Sequence, residues 1–348
     1  MDLEHAMRRA LELSRAVLGT TSPNPPVGAV ILDSAGEVVG EGATQPPGGP
    51  HAEIMALHQA GERAHSVVST LEPCNHAGRT GPCTQALLSA GVKQVAYGCA
   101  EPTTLAGGGG TMLRDAGVTV VAGVLANEVA EGPLIAWLHR QRTGRPFVTW
   151  KYAATLDGRA AAADGTSRWI TGPQSRADVH RLRRESDAVI VGVGTVLADD
   201  PSLTARPDPG HQPLRVVIDS TGRTPSTAAV LDDSASTLMV TCGASYGEER
   251  TLVAPSADRV DLGAMLADLG ERGIVSVLLE GGPTLAAGFL RAGLIDRVVG
   301  YVAPALLGAG TAVLQDAGVV TIDDAIRLDL IDVERFGDDV RLTLSRRP

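Results

Sequence analysis

Apolar residues recur every three or four positions from Leu3 through Met7, Ala10, Leu13 and Val17, with Glu4, Arg8, Arg9 and Arg15 on the other faces. This spacing predicts an amphipathic helix running to about Leu18 and stopped by Gly19. After the loop TTSPNPP, the apolar run VGAVIL (27–32) and, past a DSAG turn, EVVGEG predict two strands. A helix begins at His51 (HAEIMALHQAG), a strand follows at VVSTL (67–71), and Pro82-Cys83 opens the helix CTQALLSAG. Strands at QVAYG (94–98) and VTVVAG (118–123), a short helix between them and a closing helix NEVAEGPLIAWLHRQRTG complete an alternating α/β pattern. The Gly107–Gly110 run reads as an ordinary flexible loop, and so does PDPGHQP (207–213).

The pattern restarts after Gly144-Arg145-Pro146. FVTWKYAATLDG predicts a new strand, PQSRADVHRLRRES a helix with Pro173 in its first turn, and AVIVGVG, LRVVIDS and TLMVTCG three more strands. A helix around GAMLADLGERG, the strand VSVLLEGG, the helix PTLAAGFLRAG and the strand RVVGYVAP follow. A chain of 348 residues suits two cores rather than one. The expected domains are 1–144 and 145–348, both α/β.

Composition and charge narrow the partners. Residues 1–144 hold 9 basic and 13 acidic groups (−4), and the remaining 21 and 27 give −6, so neither half is built to bind a polyanion, and nucleic acid is excluded as a partner. No apolar run is long enough to span a membrane, and the N-terminus lacks a signal-peptide pattern. The four cysteines (74, 83, 99, 242) form no even framework, so we expect a reducing, cytoplasmic compartment and no disulfide.

The chemistry concentrates in His51-Ala52-Glu53 and the stretch TLEPCNHAGRTGPC (70–83). His51, Cys74 and Cys83 offer one imidazole and two thiolates, which leaves a tetrahedral Zn2+ one open position for water. Glu53, two residues past His51, lies near that position as a general acid and base without being a ligand. Zinc deaminases combine a His, a nearby Glu and a Pro-Cys with a second Cys, although usually spaced C-x-x-C; here the gap is wider. Cys83 at a helix N-terminus is expected to ionise more readily than a free thiol.

The second half offers two weaker signals. Gly281-Gly282-Pro283-Thr284 turns a strand into a helix, where N–H groups and the helix dipole can face a phosphate, although it is no full dinucleotide fingerprint. VGVGTVLADDPSLTAR (191–206) sets Gly and Thr after a strand and ends in paired acids and an Arg. Lys151, one of two lysines in the chain, lies inside an apolar strand.

HAE, TLEPCNHAGRTGPC, PNPPVG, KYAATLDGR, SRWITG, GTVLADDPSLTAR, VIDSTGRTP and LLEGGPTLAAGFL, spread over nearly the whole chain, closely resemble the bifunctional riboflavin-biosynthesis deaminase-reductases, whose cysteine spacing is the wide one found here. The resemblance implies a cytidine-deaminase-like three-layer N-terminal domain and a dihydrofolate-reductase-like C-terminal domain that uses NADPH. It implies a pyrimidine phosphoribosylamine as small-molecule substrate, deaminated on zinc and then reduced from ribosyl to ribityl. It assigns Asn24, Ser167, Arg183, Leu203, Arg206 and Glu280 to substrate, the two arginines suiting a 5′-phosphate. Ala154, Trp169, Thr195, Asp199, Ser220, Gly282, Pro283 and Thr284 match cofactor contacts. Lys151 and Asp199 are the candidates for protonating the opened sugar, and a homodimer paired through the reductase sheet edge is expected. One departure stands out: Glu101-Pro102-Thr103 replaces the family's usual Asp-Pro-Asn, which puts substrate contacts from that loop in question.

Overall fold

A computed structural model of the chain describes residues 1–76, 81–207, 210–256 and 259–346. It divides into two compact units, Met1–Gly144 and Arg145–Pro348.

In the first unit, α1 (Leu3–Ala16) precedes β1 (Gly28–Leu32) and β2 (Val38–Ala43), α2 (Ala52–Ala60) precedes β3 (Ser66–Leu71), and α3 (Cys83–Ser89) precedes β4 (Gln94–Cys99). Then come α4 (Gly109–Asp115), β5 (Thr119–Ala122), α5 (Ala126–Ala130) and α6 (Ile135–Thr143). The five strands form one sheet in the order β2-β1-β3-β4-β5, with β1 antiparallel to both neighbours and β3, β4 and β5 parallel. Every residue of β1 and β3 is buried. In β1 (GAVIL) burial on both faces leaves an unbroken apolar run, whereas β3 (SVVSTL) buries Ser66, Ser69 and Thr70 as well. The hairpin between β1 and β2 is tied by Asp33, whose Oδ1 accepts from the N–H groups of Ala35 and Glu37.

This topology gathers one end of the sheet. The start of β1 and the ends of β2 and β3 coincide there, since Gly28 pairs with Ala43 and its N–H donates to Thr70 Oγ1 at 3.1 Å. Helix α2 can begin at the same end because Gly42 lacks a side chain: a Cβ there would lie 2.2 Å from Ala52 O. The single closing helix expected from sequence is two helices, α5 and α6. Pro133 has no N–H and disfavours a helical Gly132, so the backbone turns between them.

The second unit runs β6 (Phe147–Thr155), β7 (Arg159–Ala161), α7 (Pro173–Arg184), β8 (Ala188–Gly192), α8 (Val193–Asp199), β9 (Leu214–Ile218), β10 (Thr237–Thr241) and β11 (Thr251–Val253). It continues through β12 (Pro255–Ser256), β13 (Arg259–Val260), α9 (Leu262–Glu271), β14 (Ser276–Leu279), α10 (Pro283–Arg291), β15 (Arg297–Ala303), β16 (Thr311–Ala312), β17 (Leu328–Phe336) and β18 (Asp339–Arg346). Nine of these strands make one sheet in the order β11-β10-β9-β8-β14-β6-β15-β18-β17, parallel up to β15 and antiparallel beyond. Val148, Ile190, Val216, Val240, Leu279 and Phe289 meet in its principal core. Arg215 is fully buried, yet its guanidinium is satisfied by Thr237 Oγ1, Asp232 Oδ1 and the Ser202 carbonyl, which keeps a buried cation affordable. The hairpin β17–β18 lies beyond the last strand expected from sequence; β17 exposes most of its residues, so no buried face imprints a clear alternation on it.

Candidate active sites

Three elements converge at the gathered end of the first sheet. His51 is the N-cap of α2, Cys74 follows β3 through Pro73, and Cys83 opens α3. His51 Nδ1 lies 3.5 Å from Cys74 Sγ and 3.3 Å from Cys83 Sγ. The three ligand atoms all fall within 4.8 Å of one another, the only such cluster among the described residues. One imidazole and two sulfurs at this spacing suit Zn2+ and leave a fourth position. Glu53, in the first turn of α2, is 4% exposed. Burial first, and the Cys74 sulfur second, push its carboxyl up to about 7. A divalent cation on the three ligands acts in the opposite direction.

The two thiols act on each other as well as on His51: Cys74 is held below the usual thiol range by the Cys83 thiol, against burial, with His51 and the Cys83 backbone N–H adding to the effect. That N–H, from the first residue of α3, points at Cys74 Sγ at 3.4 Å. The start of α3 therefore supports the neighbouring Cys74 sulfur as well.

Asn24 lies in a turn at the same end of the sheet, closed by its N–H donating to Thr21 O at 2.9 Å. In the substituted loop, Glu101 Oε1 accepts from both the N–H and the hydroxyl of Thr103, so this acid is turned onto its own loop. The Gly107–Gly110 run is not an ordinary loop. Gly109 and Gly110 are buried first residues of α4, and a Cβ on Gly109 would stand 1.9 Å from Pro73 O, beside the Cys74 turn. Residues 77–80 of the cysteine motif and residues 208–209 of the second predicted loop lie outside the described residues.

In the second unit, β8, β14 and β6 lie side by side and parallel, so their carboxyl ends share one edge. Glu280, just past β14, sits across from Lys151 of β6. Its carboxylate accepts from Arg183 of α7, Nε to Oε1 at 2.5 Å and Nη2 to Oε2 at 3.1 Å, and faces Lys151 Nζ at 3.5 Å. Burial would raise this acid, but the charges of Arg183 and then Lys151 outweigh it and hold the carboxyl at about 2. Arg183 also donates to Thr204 O at 3.1 Å, which brings the segment holding buried Leu203 against the same cluster. Arg206, at the end of that segment, is exposed. Two helix starts follow the edge: α8 after β8 and α10 after β14, each with a Gly N-cap and no side-chain cap. Thr195 Oγ1 lies 3.7 Å from the place a Gly282 Cβ would take, so the two starts are neighbours. The Gly N-caps and the positive ends of the two helices suit the phosphates of a dinucleotide.

Comparison with known proteins agrees with both halves. Residues 146–342 match the RibD C-terminal domain, and residues 1–99 match the cytidine and deoxycytidylate deaminase zinc-binding region. The chain belongs to the RibD family. It is 49% identical to the riboflavin biosynthesis protein RibD of Mycobacterium tuberculosis over 99% of this chain and 98% of that one. To the RibD of Escherichia coli it is 40% identical, covering 99% of each. Among solved structures, Acinetobacter baumannii RibD superposes with a TM-score of 0.89 at 38% identity, covering 99% of both chains. The diaminohydroxyphosphoribosylaminopyrimidine deaminase/5-amino-6-(5-phosphoribosylamino)uracil reductase of Thermotoga maritima does so with 0.91 at 34%, again over 99% of both. The chain thus combines the cytidine-deaminase-like and reductase domains of RibD.

The remaining residues assigned by resemblance are spread more widely. Ala154 is buried near the end of β6, and Ser220 follows β9. Pro283 starts α10, and the Thr284 hydroxyl donates to Gln315 Oε1 at 2.7 Å. Trp169 is 69% exposed, with the Arg176 guanidinium 4.5 Å from its ring centre, and Ser167 is half-buried two residues before it. Asp199 ends α8 and pairs with Arg168 at 3.6 Å rather than with the Lys151 cluster. Sequence reasoning passed over Glu72, a buried acid in the cysteine motif; its only signal was being charged at the end of an apolar strand.

Proposed function

We infer that the chain performs two consecutive steps of riboflavin biosynthesis: hydrolytic deamination of 2,5-diamino-6-ribosylamino-4(3H)-pyrimidinone 5′-phosphate, then reduction of its ribosyl group to ribityl. The observation that carries this reading is the convergence of His51, Cys74 and Cys83 beside a buried acid that is not among them. Bound there, zinc supplies the Lewis acidity that makes water a nucleophile near neutral pH. Glu53 takes the water proton and returns it to the departing ammonia, a task suited to a buried carboxyl that stands beside the ligand set without belonging to it. Asn24 holds the pyrimidine at the same sheet end.

In the second unit NADPH supplies a hydride for the ribose C1′. The uncapped starts of α8 and α10, with Thr195 and the Gly282–Thr284 turn, hold its phosphates, and Ala154, Trp169, Asp199 and Ser220 flank it. Lys151 donates the proton that accompanies reduction, while Glu280, ionised between two cations, keeps it charged and oriented. Arg183 already donates to Glu280 and Thr204 O, which leaves exposed Arg206 as the principal cation for the 5′-phosphate; Ser167 and Leu203 border the sugar. A homodimer paired through β17 is supported by the exposure of Leu330, Ile331 and Val333 on that edge strand. No helix among the described residues is long and apolar enough to cross a membrane, and we propose a cytoplasmic enzyme.

The test follows ammonia release and NADPH oxidation in one cuvette. Ammonia appearing with or without NADPH, and NADPH consumed only after ammonia appears, is the expected result. Zinc-loaded protein that oxidises NADPH on pre-deaminated substrate yet releases no ammonia would reduce the chain to a reductase.

A further inference from the structure

Three side chains make the ligand set, but a fourth holds the segment that carries Cys74. Glu72 stands two residues before it and is 8% exposed. Its N–H continues the sheet, donating to Cys99 O at 2.8 Å. Its carboxylate then reaches past the end of β4: Oε2 accepts from the Glu101 N–H at 3.0 Å and Oε1 from the Gly110 N–H at 2.7 Å. Gly110 is the second residue of α4, whose N-cap Gly108 contributes no side-chain bond. Glu72 therefore supplies, from a neighbouring strand, an acceptor that the helix start lacks, and its negative charge suits that end of the helix.

The same loop returns to the ligand segment. Asn75 donates its N–H to Ala106 O at 3.0 Å, and Gly109 lies against Pro73 O at a distance no side chain tolerates. From the other side Thr84, next to Cys83, donates its N–H to Cys74 O at 3.3 Å and its hydroxyl to Asn75 Oδ1 at 3.0 Å. Cys74 thus rides on a clamped peptide, with the Glu72 carboxylate tying down one side of the clamp.

We propose that Glu72 is a positioning residue of the metal centre, which holds Cys74 in register with His51 and Cys83 by tying α4 and the Glu101 loop to the end of β3, and so governs how long zinc stays bound. This rests on the assignment of the three ligands. The test is zinc release from the full chain into excess chelating dye, for wild type, Glu72→Gln, Gly109→Ala and Cys74→Ser. The amide of Glu72→Gln keeps one acceptor but turns an NH2 toward the other donor; Gly109→Ala presses instead on Pro73 O, another contact of the same clamp. Both are expected to release zinc about 10- to 100-fold faster, the usual range for groups that orient ligands, with NADPH oxidation on pre-deaminated substrate unchanged.

An acid serving fold stability alone would lower the unfolding midpoint of Glu72→Gln and leave zinc release from the folded protein at the wild-type rate, which overturns the proposal. If Glu72→Gln is recovered with its first unit unfolded, the rate for Gly109→Ala decides in the same two directions. Cys74→Ser separates the two readings: zinc held by that variant as firmly as by wild type removes the ligand assignment itself.

Discussion

At the scale of single residues, each site pairs a working group with a neighbour that sets its charge. Glu53 is buried beside the ligands without joining them, so Glu53→Gln is expected to keep its zinc while ammonia release falls by a factor of about 10²–10⁴. Zinc content and ammonia assays on the same preparation check this, and loss of metal would make Glu53 a ligand. In the reductase unit the two candidate proton donors have different surroundings. Lys151 faces buried Glu280, whereas Asp199 turns to exposed Arg168. Lys151→Met is expected to slow single-turnover NADPH oxidation about 100-fold, and Asp199→Asn by less than about tenfold, within the span of general acid catalysis. The reverse order would move the proton donor to Asp199.

At the scale of elements, the legible parts were those whose burial leaves a period in the sequence. The apolar runs of β1, β3 and β8 and the amphipathic face of α1 fall where their patterns place them. The cluster of His51, Cys74 and Cys83 was legible because metal chemistry restricts the residue types and the prolines mark the turns. Contacts made by backbone were not legible. Nothing in the letters of the Gly107–Gly110 run distinguishes a slack loop from a helix start pressed on Pro73, and a lone Glu72 does not announce the two N–H groups it accepts. The β17–β18 hairpin escaped for the opposite reason, since a strand that exposes most of its residues shows no buried face of its own. Ile331, 55% exposed on this edge, is where a charge tests the proposed pairing most directly. Ile331→Glu is expected to shift the protein from dimer to monomer in sedimentation, with both activities measured alongside; a wild-type sedimentation profile would exclude β17 from the interface.

At the scale of the whole molecule, the two chemistries are housed in units with separate cores and separate requirements. Stripping zinc with a chelator is therefore expected to abolish ammonia release and to leave NADPH oxidation on pre-deaminated substrate within about twofold, with activity restored by added Zn2+. A parallel loss of both rates would mean that the metal stabilises the reductase unit as well. The exposed indole of Trp169 also has an optical meaning. Of the three tryptophans, Trp137 and Trp150 are 5% and 6% exposed, so Trp169 is the one that a dissolved quencher can reach. A dihydronicotinamide absorbs where indole emits. If the cofactor docks beside Trp169 as proposed, its arrival dims the protein's ultraviolet emission and lights the cofactor's blue one, a colour signal for occupancy of the reductase half.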